Sequence, residues 1–391
     1  MGDSTYYRFR ELQTEVDGHT LRHVTRPALG KLQERLNPGQ LLAQWARVSP
    51  EAQALLVHCD TGLVGLSVLD QLETGHLIML DAHLAAIECA RQTLWLNGID
   101  GVSVQPSDCA QAVHGQTFDC VLALLPKSRA VWEQTVVDAA TLLRDGGDFF
   151  LAGANNAGIK SAAKHVEKVF GNVHVVAYRA GCRVLRAVKG LETHPPASEY
   201  YAWSTIQATV RDHTFSYVSK PGIFSWQRLD DGSRMLIEAM QDQPLRADDQ
   251  VLDIGCGAGV LTLVAAQQAH EGHVTGVDAD CRAVEATRRT LALGEATNAE
   301  ALLSDCVSAV SDRAFSAVVT NPPFHKQQST SYATARQIIH DAHQVLRKRG
   351  RFYLVANAFL KYQPLIEETF GNVQLLRQNN RYRVWYATKQ R

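Results

Sequence analysis

Two stretches of this sequence combine residue types and spacing suited to chemistry. The first, Val251 to Gly259, reads VLDIGCGAG, an apolar strand that enters a glycine-rich turn. Gly255 and Gly257 lack the side chain that would hold a ligand away from the backbone. A dinucleotide-binding turn, G-x-G-x-x-G, would need glycine at 260, and Val260 stands there. Asp253, two residues ahead of Gly255, puts a carboxylate where a pyrophosphate would be repelled and a cation attracted. The sulfonium and amino groups of S-adenosylmethionine are cations of that kind. Asp278, followed by Ala279, ends the next apolar run 21 residues after Gly257, the spacing at which an acid binds two ribose hydroxyls. Asp305 and Cys306 follow a third such run, where an acid can accept a hydrogen bond from an adenine amino group. Each acid by itself also suits a helix N-cap. Three of them at the ends of successive strands point to one cofactor site.

The second stretch is Asn321-Pro322-Pro323-Phe324-His325, after a fourth apolar run. A nucleobase amine is a poor nucleophile because its lone pair is delocalised into the ring. If Asn321 Oδ1 and the Pro322 carbonyl accept its two N–H groups, the nitrogen is held with its lone pair toward a methyl donor. The position of Asn321, next to the glycine turn across the sheet, puts it within reach of the cofactor as well as the acceptor. The prolines stiffen the turn and offer carbonyls without competing donors, and Phe324 can stack on the base. Catalysis is then positioning and electrostatic stabilisation, with no covalent intermediate. His325 is a weaker candidate for a base, because a methylated nitrogen can lose its proton to water. Read for structure only, the same residues make a proline-stiffened loop with an Asx turn.

These residues need a scaffold that gathers strand ends. Strand-like runs at Val251–Ile254, Val274–Val277, Ala317–Thr320 and Phe352–Ala356 alternate with helix-period stretches at Leu261–Gln268, Arg282–Leu293 and Ala333–Leu346. The alternation predicts an α/β fold, a parallel sheet covered on both faces, with ligands beyond its carboxyl ends where strand order reverses. The pattern occurs twice. Asp81 and Asp278, Ser107–Cys109 and Ser304–Cys306, and Phe118 and Phe315 each recur 197 positions apart, and FGNV at Phe170–Val173 returns at Phe370–Val373. Two tandem Rossmann-like domains follow: 1–190, then 191–220 as a polar, proline-bearing linker and lead-in, then 221–391.

The first copy reads as degenerate. At an offset of 195, Gly62 and Gly65 echo the glycine turn, while His58 stands for Asp253 and Asp60 for Gly255. Leu124-Leu125-Pro126-Lys127 replaces Asn321-Pro322-Pro323-Phe324. Asp81 and Asp108 survive, yet this half is expected to bind no S-adenosylmethionine and to serve structure or RNA binding. Its end is basic: seven Lys/Arg between Lys160 and Lys189 face the single acid Glu167. Lys160, Lys164 and Lys168 recur at i, i+4, i+8 and so line one helix face. Arg347, Lys348, Arg349 and Arg351, with Arg377, Arg381 and Arg383, suggest a second patch. Such runs are either solvated helix surface or contacts for phosphates.

Composition sets the outer limits. The chain's 391 residues exceed one typical core, and 46% apolar with 20% charged residues suits a folded protein rather than a disordered one. The net charge of −1 gives no hint of a polyanionic partner for the chain as a whole. Apolar runs are strand-length, so no membrane span is expected, and the polar start from Met1 to Arg10 is unlike a secretory signal. Eight cysteines without a C-x-x-C pair argue for buried thiols in a reducing cytoplasm, not for a metal site or disulfide framework.

The glycine turn and the NPPF tetrad resemble those of class I amino-methyltransferases, which modify adenine N6, guanine N2 or glutamine N5. A closer resemblance covers nearly the whole chain. KPGIFSWQRLDDGSRMLIEAM (Lys220–Met240), VLDIGCGAGVLTL, TNPPFH and VANAFLKYQPLIEETFG (Val355–Gly371) are similar to the bacterial ribosomal RNA guanine-N2 methyltransferases. Those are also two-domain proteins with a decayed amino-terminal copy. The resemblance implies two tandem class I methyltransferase domains, S-adenosylmethionine as cofactor, and guanine N2 of 16S ribosomal RNA as acceptor. The small subunit or an assembly intermediate is then the partner, and a cytoplasmic monomer the expected form. The resemblance further implies that the segment Pro221–Ser225 covers the cofactor, with Phe224 a contact. Methylation of 23S RNA in the large subunit is the alternative nearest to this one. A protein glutamine as acceptor, or a non-catalytic RNA-binding assembly factor, fits less well. The first copy shows what decay looks like, and the second has kept its site residues.

Overall fold

The computed structural model describes residues 5–30, 32–108, 112–196, 202–323 and 329–390. The chain divides into two compact units, Tyr7–Ala202 and Trp203–Arg391, the latter joined by Met1–Tyr6. The first contains β1 (Arg10–Val16), β2 (His19–Thr25), α1 (Leu32–Trp45), β3 (Gln53–Val57), α2 (Leu63–Leu69), β4 (His76–Asp81), α3 (Leu84–Leu96) and β5 (Ser103–Pro106). It continues with β6 (Phe118–Leu124), α4 (Arg129–Leu142), β7 (Leu143–Ala154), α5 (Ile159–Phe170), β8 (His174–Arg179) and β9 (Cys182–Val188). The second contains β10 (Ser204–Val210), β11 (His213–Ser219), α6 (Asp231–Asp242), β12 (Gln250–Ile254), α7 (Val260–Gln268), β13 (His273–Asp278), α8 (Cys281–Leu293) and β14 (Ala299–Leu303). It ends with β15 (Phe315–Thr320), α9 (Ser329–Val345), β16 (Leu346–Asn357), α10 (Tyr362–Phe370), β17 (Gln374–Gln378) and β18 (Tyr382–Thr388).

Each unit holds one seven-stranded sheet, in the order β5-β4-β3-β6-β7-β9-β8 and β14-β13-β12-β15-β16-β18-β17. The first five strands of each order run parallel, and β9 and β18 turn antiparallel to their neighbours. Central strands covered on both faces must be apolar throughout. Val251 to Ile254 are accordingly all buried, the carboxylate of Asp253 among them. Helix α7 is buried from Val260 to Ala266, so it runs through the core and not across its surface.

The FGNV repeat has a structural cause. Phe170 and Phe370 end their helices and stack on Phe149 and Phe352, with ring centroids 5.4 and 5.0 Å apart. Gly171 and Gly371 follow in the left-handed conformation that a helix C-terminus favours, at φ 75° and 72°. Asn172 and Asn372 then each clasp the last strand. Their amides donate to the carbonyls of Val188 and Thr388 and accept from the N–H groups of the same two residues.

The repeat also includes an opening that its residues do not reveal. Both units begin with an antiparallel hairpin, β1–β2 and β10–β11. In each, a backbone N–H (Val24 or Val218) donates to a threonine hydroxyl, Thr93 at 3.0 Å or Thr290 at 2.9 Å. Residues 204–219, which the sequence assigns to linker and lead-in, are therefore the ordered start of the second unit.

The 195-residue offset for the glycine turn is corrected by the strand register. β3 and β12 start at Gln53 and Gln250, and both turns end on left-handed glycines at helix N-caps, Gly62 at φ 82° and Gly259 at φ 79°. The offset is thus 197 here as elsewhere. Leu56 takes the place of Asp253, His58 of Gly255 and Asp60 of Gly257. The glycines at 62 and 65 had suggested otherwise, but Gly65 serves packing, since a Cβ there would meet Met79 at 2.8 Å.

Among the described residues no helix is long and apolar enough to cross a membrane. The described cysteines form no disulfide, and all but the half-buried Cys281 are buried.

Candidate cofactor and acceptor site

From β12 and β15 the second sheet grows in opposite directions, which opens a crevice beyond their carboxyl ends. Asp253 lies within β12, Asp278 ends β13 with Ala279 after it, Asp305 and Cys306 follow β14, and Asn321 follows β15. The pairing of Ile254 with Thr320 sets Asn321 beside Gly255. A hydrogen bond of 2.7 Å from Thr320 Oγ1 to the Ile254 carbonyl locks the two strand ends together. Eight of the residues singled out from sequence thus gather at one crevice.

The glycine turn is built by backbone bonds. The N–H groups of Gly255 and Cys256 both donate to the Val277 carbonyl, at 2.8 and 3.0 Å. Gly255 and Gly257 have φ of +79° and +58°, and a Cβ on either would meet nothing within 4 Å. The backbone therefore borders open space at both. Gly259 serves a different need: its missing Cβ would lie 2.8 Å from the backbone of Thr287 in α8.

Asp253 is fully buried. Its Oδ2 accepts from Thr262 Oγ1 at 2.7 Å, and its Oδ1 has no hydrogen-bond partner among the described residues. Burial foremost, with the Asp278 charge adding to it and the Thr262 bond opposing, pushes its carboxyl up to about 7. The two carboxylate oxygens of Asp278 accept the N–H groups of Gly257 at 3.0 Å and Asp280 at 2.9 Å, so the acid is fixed against the turn. Asp305 sits in a tight bend in which Ser304 Oγ donates to the Cys306 carbonyl at 2.9 Å and the Asp305 N–H donates to Ser308 Oγ at 3.1 Å. That bend holds Cys306 at φ 48°. Tyr6, from the start of the chain, donates its phenolic hydrogen to Asp305 Oδ1 at 3.0 Å.

At the acceptor side, the amide nitrogen of Asn321 donates to Asp230 Oδ2 at 3.1 Å and to Ser233 Oγ at 2.9 Å. Its carbonyl oxygen is buried and has no partner among the described residues. Pro322 is buried and Pro323 exposed. Phe324 and His325 lie outside the described residues. Phe224 is 59% exposed, in the segment that follows the buried Lys220.

Sequence reasoning missed four residues here: Tyr6, Asp230, Ser233 and Thr262. Asp230 and Ser233 carried a readable signal, since an acid three residues before serine, ahead of Met235-Leu236-Ile237, marks a helix start. Thr262 sits nine residues after Asp253 on a helix, and nothing in the sequence separates it from other core threonines. Tyr6 gave no signal at all.

The first unit has the same frame without the same surface. The N–H of Asp60 donates to Asp81 Oδ2 at 3.2 Å, as Gly257 does to Asp278. Arg35 pairs with Asp60 and donates to Thr25 Oγ1 at 3.0 Å, which lays a guanidinium against the turn. Leu56, with no exposed surface, stands where the second unit has its buried acid. The two basic stretches also differ. Lys160, Lys164 and Lys168 are all exposed on α5. In the second unit, Arg351 pairs with Asp249, Arg377 with Glu238 and Asp242, and Arg381 with Asp231. Those three arginines of the expected second patch are held by acids, whereas Arg347, Lys348 and Arg349 are exposed. Among the described residues no cluster of three or more His, Cys, Asp or Glu could hold a metal ion.

The family model of the methyltransferase small domain matches the chain twice, over residues 34–186 and 214–386. The ribosomal RNA small subunit methyltransferase C of Pseudomonas putida is 33% identical over 273 residues, 70% of this chain and 80% of that protein. The protein of the same name from Stutzerimonas stutzeri is 34% identical over 275 residues, with the same shares. Among solved structures, the 16S rRNA N2 methyltransferase of T. thermophilus, in complex with AdoMet and guanosine, matches at a TM-score of 0.82 and 29% identity, covering 99% of each chain. S-adenosylmethionine is the cofactor, and the residues present fit it. The partnerless Asp253 oxygen suits a cation, the side-chain-free turn allows close approach, and the anchored Asp278 is a ready acceptor for hydroxyls. The chain belongs to the methyltransferase small domain family, and within it to the S-adenosylmethionine-dependent methyltransferases of small-subunit ribosomal RNA.

Proposed function

We propose that the chain transfers a methyl group from S-adenosylmethionine to the exocyclic N2 of a guanine in 16S ribosomal RNA. It acts in the cytoplasm on the small subunit or one of its assembly intermediates. The observation that carries this reading is the buried, partnerless carbonyl oxygen of Asn321 at the mouth of the cofactor crevice. A buried acceptor without a donor is rare and costs about 1–3 kcal/mol. It fits a site whose donor arrives with the substrate.

When bound, S-adenosylmethionine supplies a methyl group on a positively charged sulfur that departs as a neutral thioether. Asn321 Oδ1 and the Pro322 carbonyl accept the two N–H groups of the guanine amine and turn its lone pair toward that methyl carbon. The same two acceptors would stabilise the positive charge that develops on the nitrogen as it takes the methyl group. The surplus proton on nitrogen passes to water. Asp253 balances the positive charge of the methionine portion, Gly255 and Gly257 admit it to the backbone, and Asp278 and Asp305 hold the ribose hydroxyls and the adenine. Ala279 and Cys306 line the adenine and Phe224 covers the cofactor, while Phe324, assigned from the sequence to stack on the base, lies outside the described residues. Because the amine of a paired guanine faces its partner strand, the base must be flipped or the strand opened.

The test is to incubate the protein and labelled S-adenosylmethionine with unmethylated small subunits, large subunits and naked RNA, then map the label. Label on guanine N2 of 16S RNA, lost in Asn321→Ala, is the expected result. Absence of label from every RNA overturns the reading, and label in 23S RNA alone moves the substrate to the large subunit.

A further inference from the structure

The amide of Asn321 is a two-sided group, and only one orientation serves an amine acceptor. With its carbonyl toward the crevice it accepts an N–H; turned over, it would present N–H groups to N–H groups and repel the substrate. The sequence of the tetrad does not fix this choice. Asp230 does so by chemistry: a carboxylate has no hydrogen to donate, so the face of the amide turned to it must be the nitrogen. Asp230 Oδ2 accepts from Asn321 Nδ2 at 3.1 Å, and Ser233 Oγ lies 2.9 Å from the same nitrogen. Both N–H groups of the amide are thereby engaged, and Oδ1 is left buried without a partner among the described residues.

The carboxylate is itself held. Asp230 is the N-cap of α6, and its Oδ2 also accepts the N–H of Ser233 at 3.0 Å. Gly232, one of the two residues between them and α6's second, passes within a side chain's width of Tyr382, since a Cβ there would be 3.1 Å from the ring. Burial foremost, then the neighbouring Asp230 charge, pushes the Tyr382 phenol above its ordinary value. A helix start, 88 to 91 positions earlier in the chain, thus sets the rotation of an amide in the acceptor loop.

We propose that Asp230 and Ser233 are positioning residues for methyl transfer, which hold the Asn321 amide with its carbonyl facing the acceptor amine. This rests on the reading of Asn321 as an acceptor of the substrate amine. Asp230→Asn leaves one neutral carbonyl oxygen for the two duties that Oδ2 serves, the Ser233 N–H and the Asn321 amide. Asparagine caps a helix about as well as aspartate, so α6 stays capped. The Asn321 amide is then held by a neutral bond, about half as strong as a charge-assisted one, and a side chain that can itself donate no longer forbids it to turn over. Ser233→Ala removes one acceptor and leaves the cap.

The experiment measures kcat, KM for RNA, the Kd of S-adenosylmethionine and Tm for wild type, Asp230→Asn, Ser233→Ala, the double variant and Asn321→Ala. It also follows the side-chain amide of Asn321 by NMR in asparagine-labelled, cofactor-free protein, assigned with Asn321→Ala. We expect kcat to fall at least tenfold in Asp230→Asn, about threefold in Ser233→Ala, and nearly to the Asn321→Ala level in the double variant, taking one to two strong hydrogen bonds as the measure. Kd for the cofactor and Tm stay near wild type. The slowly exchanging, hydrogen-bonded Asn321 N–H signals of the wild type shift and exchange faster in Asp230→Asn. Wild-type kcat and unchanged amide signals in the double variant overturn the positioning role while Asn321→Ala is inactive. A fully active Asn321→Ala overturns the acceptor reading and this proposal with it.

Discussion

The phenol of Tyr6 donates a hydrogen bond to Asp305 across 299 positions of sequence, at 3.0 Å. Tyr6 groups with the second unit, although the chain goes on from Tyr7 to build the first. Both partners are nearly buried, Tyr6 at 6% and Asp305 at 2% exposure. Burial foremost, then the Cys306 and Asp305 charges, pushes the phenol far above its ordinary value, so it remains a donor throughout the working pH range. With Oδ1 engaged by Tyr6, Asp305 is oriented by a residue from the far end of the chain. A hydrogen bond to a charged group contributes about 1.5–3 kcal/mol. Tyr6→Phe is therefore expected to weaken S-adenosylmethionine binding by roughly tenfold or more, read by calorimetry, with methyl transfer at saturating cofactor retained. Unchanged affinity would show that Asp305 is oriented without the phenol.

A second prediction concerns Asp253, which burial pushes up to about 7. An unfolded aspartate titrates near 4. The cofactor-free native protein therefore keeps a proton there that the unfolded chain releases between about pH 4 and 7. A raised acid of this kind makes the native state most stable below the unfolded value, and stability falls as pH rises through that window. Denaturation of the cofactor-free protein is expected to follow this slope, with a flatter profile in Asp253→Asn. A cationic ligand favours the ionised form, so cofactor binding near pH 6.5, about half a unit below that value, should expel part of a proton. Calorimetry in two buffers of different ionisation heat measures it, and equal release from Asp253→Asn would contradict the assignment.

The two units are expected to bind one S-adenosylmethionine per chain, not two. In the first, Leu56 replaces the buried acid, His58 and Asp60 hold left-handed backbone at φ 55° and 51°, and Arg35 lies on the turn. A guanidinium there opposes a cationic ligand. Equilibrium dialysis gives the count, and Asp253→Ala should lower the single-site affinity without uncovering a second site. A stoichiometry of two would contradict the reading of the first unit.

The exposed lysines of α5 yield a fourth prediction. Lys160, Lys164 and Lys168 share one exposed helix face in the first unit. If they contact phosphates, charge reversal at all three should lower the slope of log affinity for RNA against log salt by about three. The methyl-transfer rate at saturating RNA should hold. An unchanged slope would make this face ordinary solvated surface.

The alternation of buried strands and helices, the glycine turn and the three acids are local in sequence, and backbone geometry carries them to one end of a parallel sheet. That much was legible because period, turn chemistry and spacing depend on neighbours in the chain. The FGNV repeat was legible for the same reason: ring stacking, a left-handed glycine and an asparagine clasp each need one residue type. Sequence by itself thus determined the duplicated α/β fold, the glycine turn after β12 and the place of Asn321 and Pro322 after β15. It misplaced the first copy's turn by two residues, because Gly62 and Gly65 mark helix entry and packing instead of ligand approach. It also placed the β10–β11 hairpin in the linker and lead-in, because strand pairing there tolerates almost any alternating sequence. Only the tertiary structure decided that Arg351, Arg377 and Arg381 are held by acids, that Asp230 and Ser233 set the face of the Asn321 amide, and that Tyr6 reaches Asp305. Those contacts join residues 88 to 299 positions apart, and their side chains meet only once the core has formed.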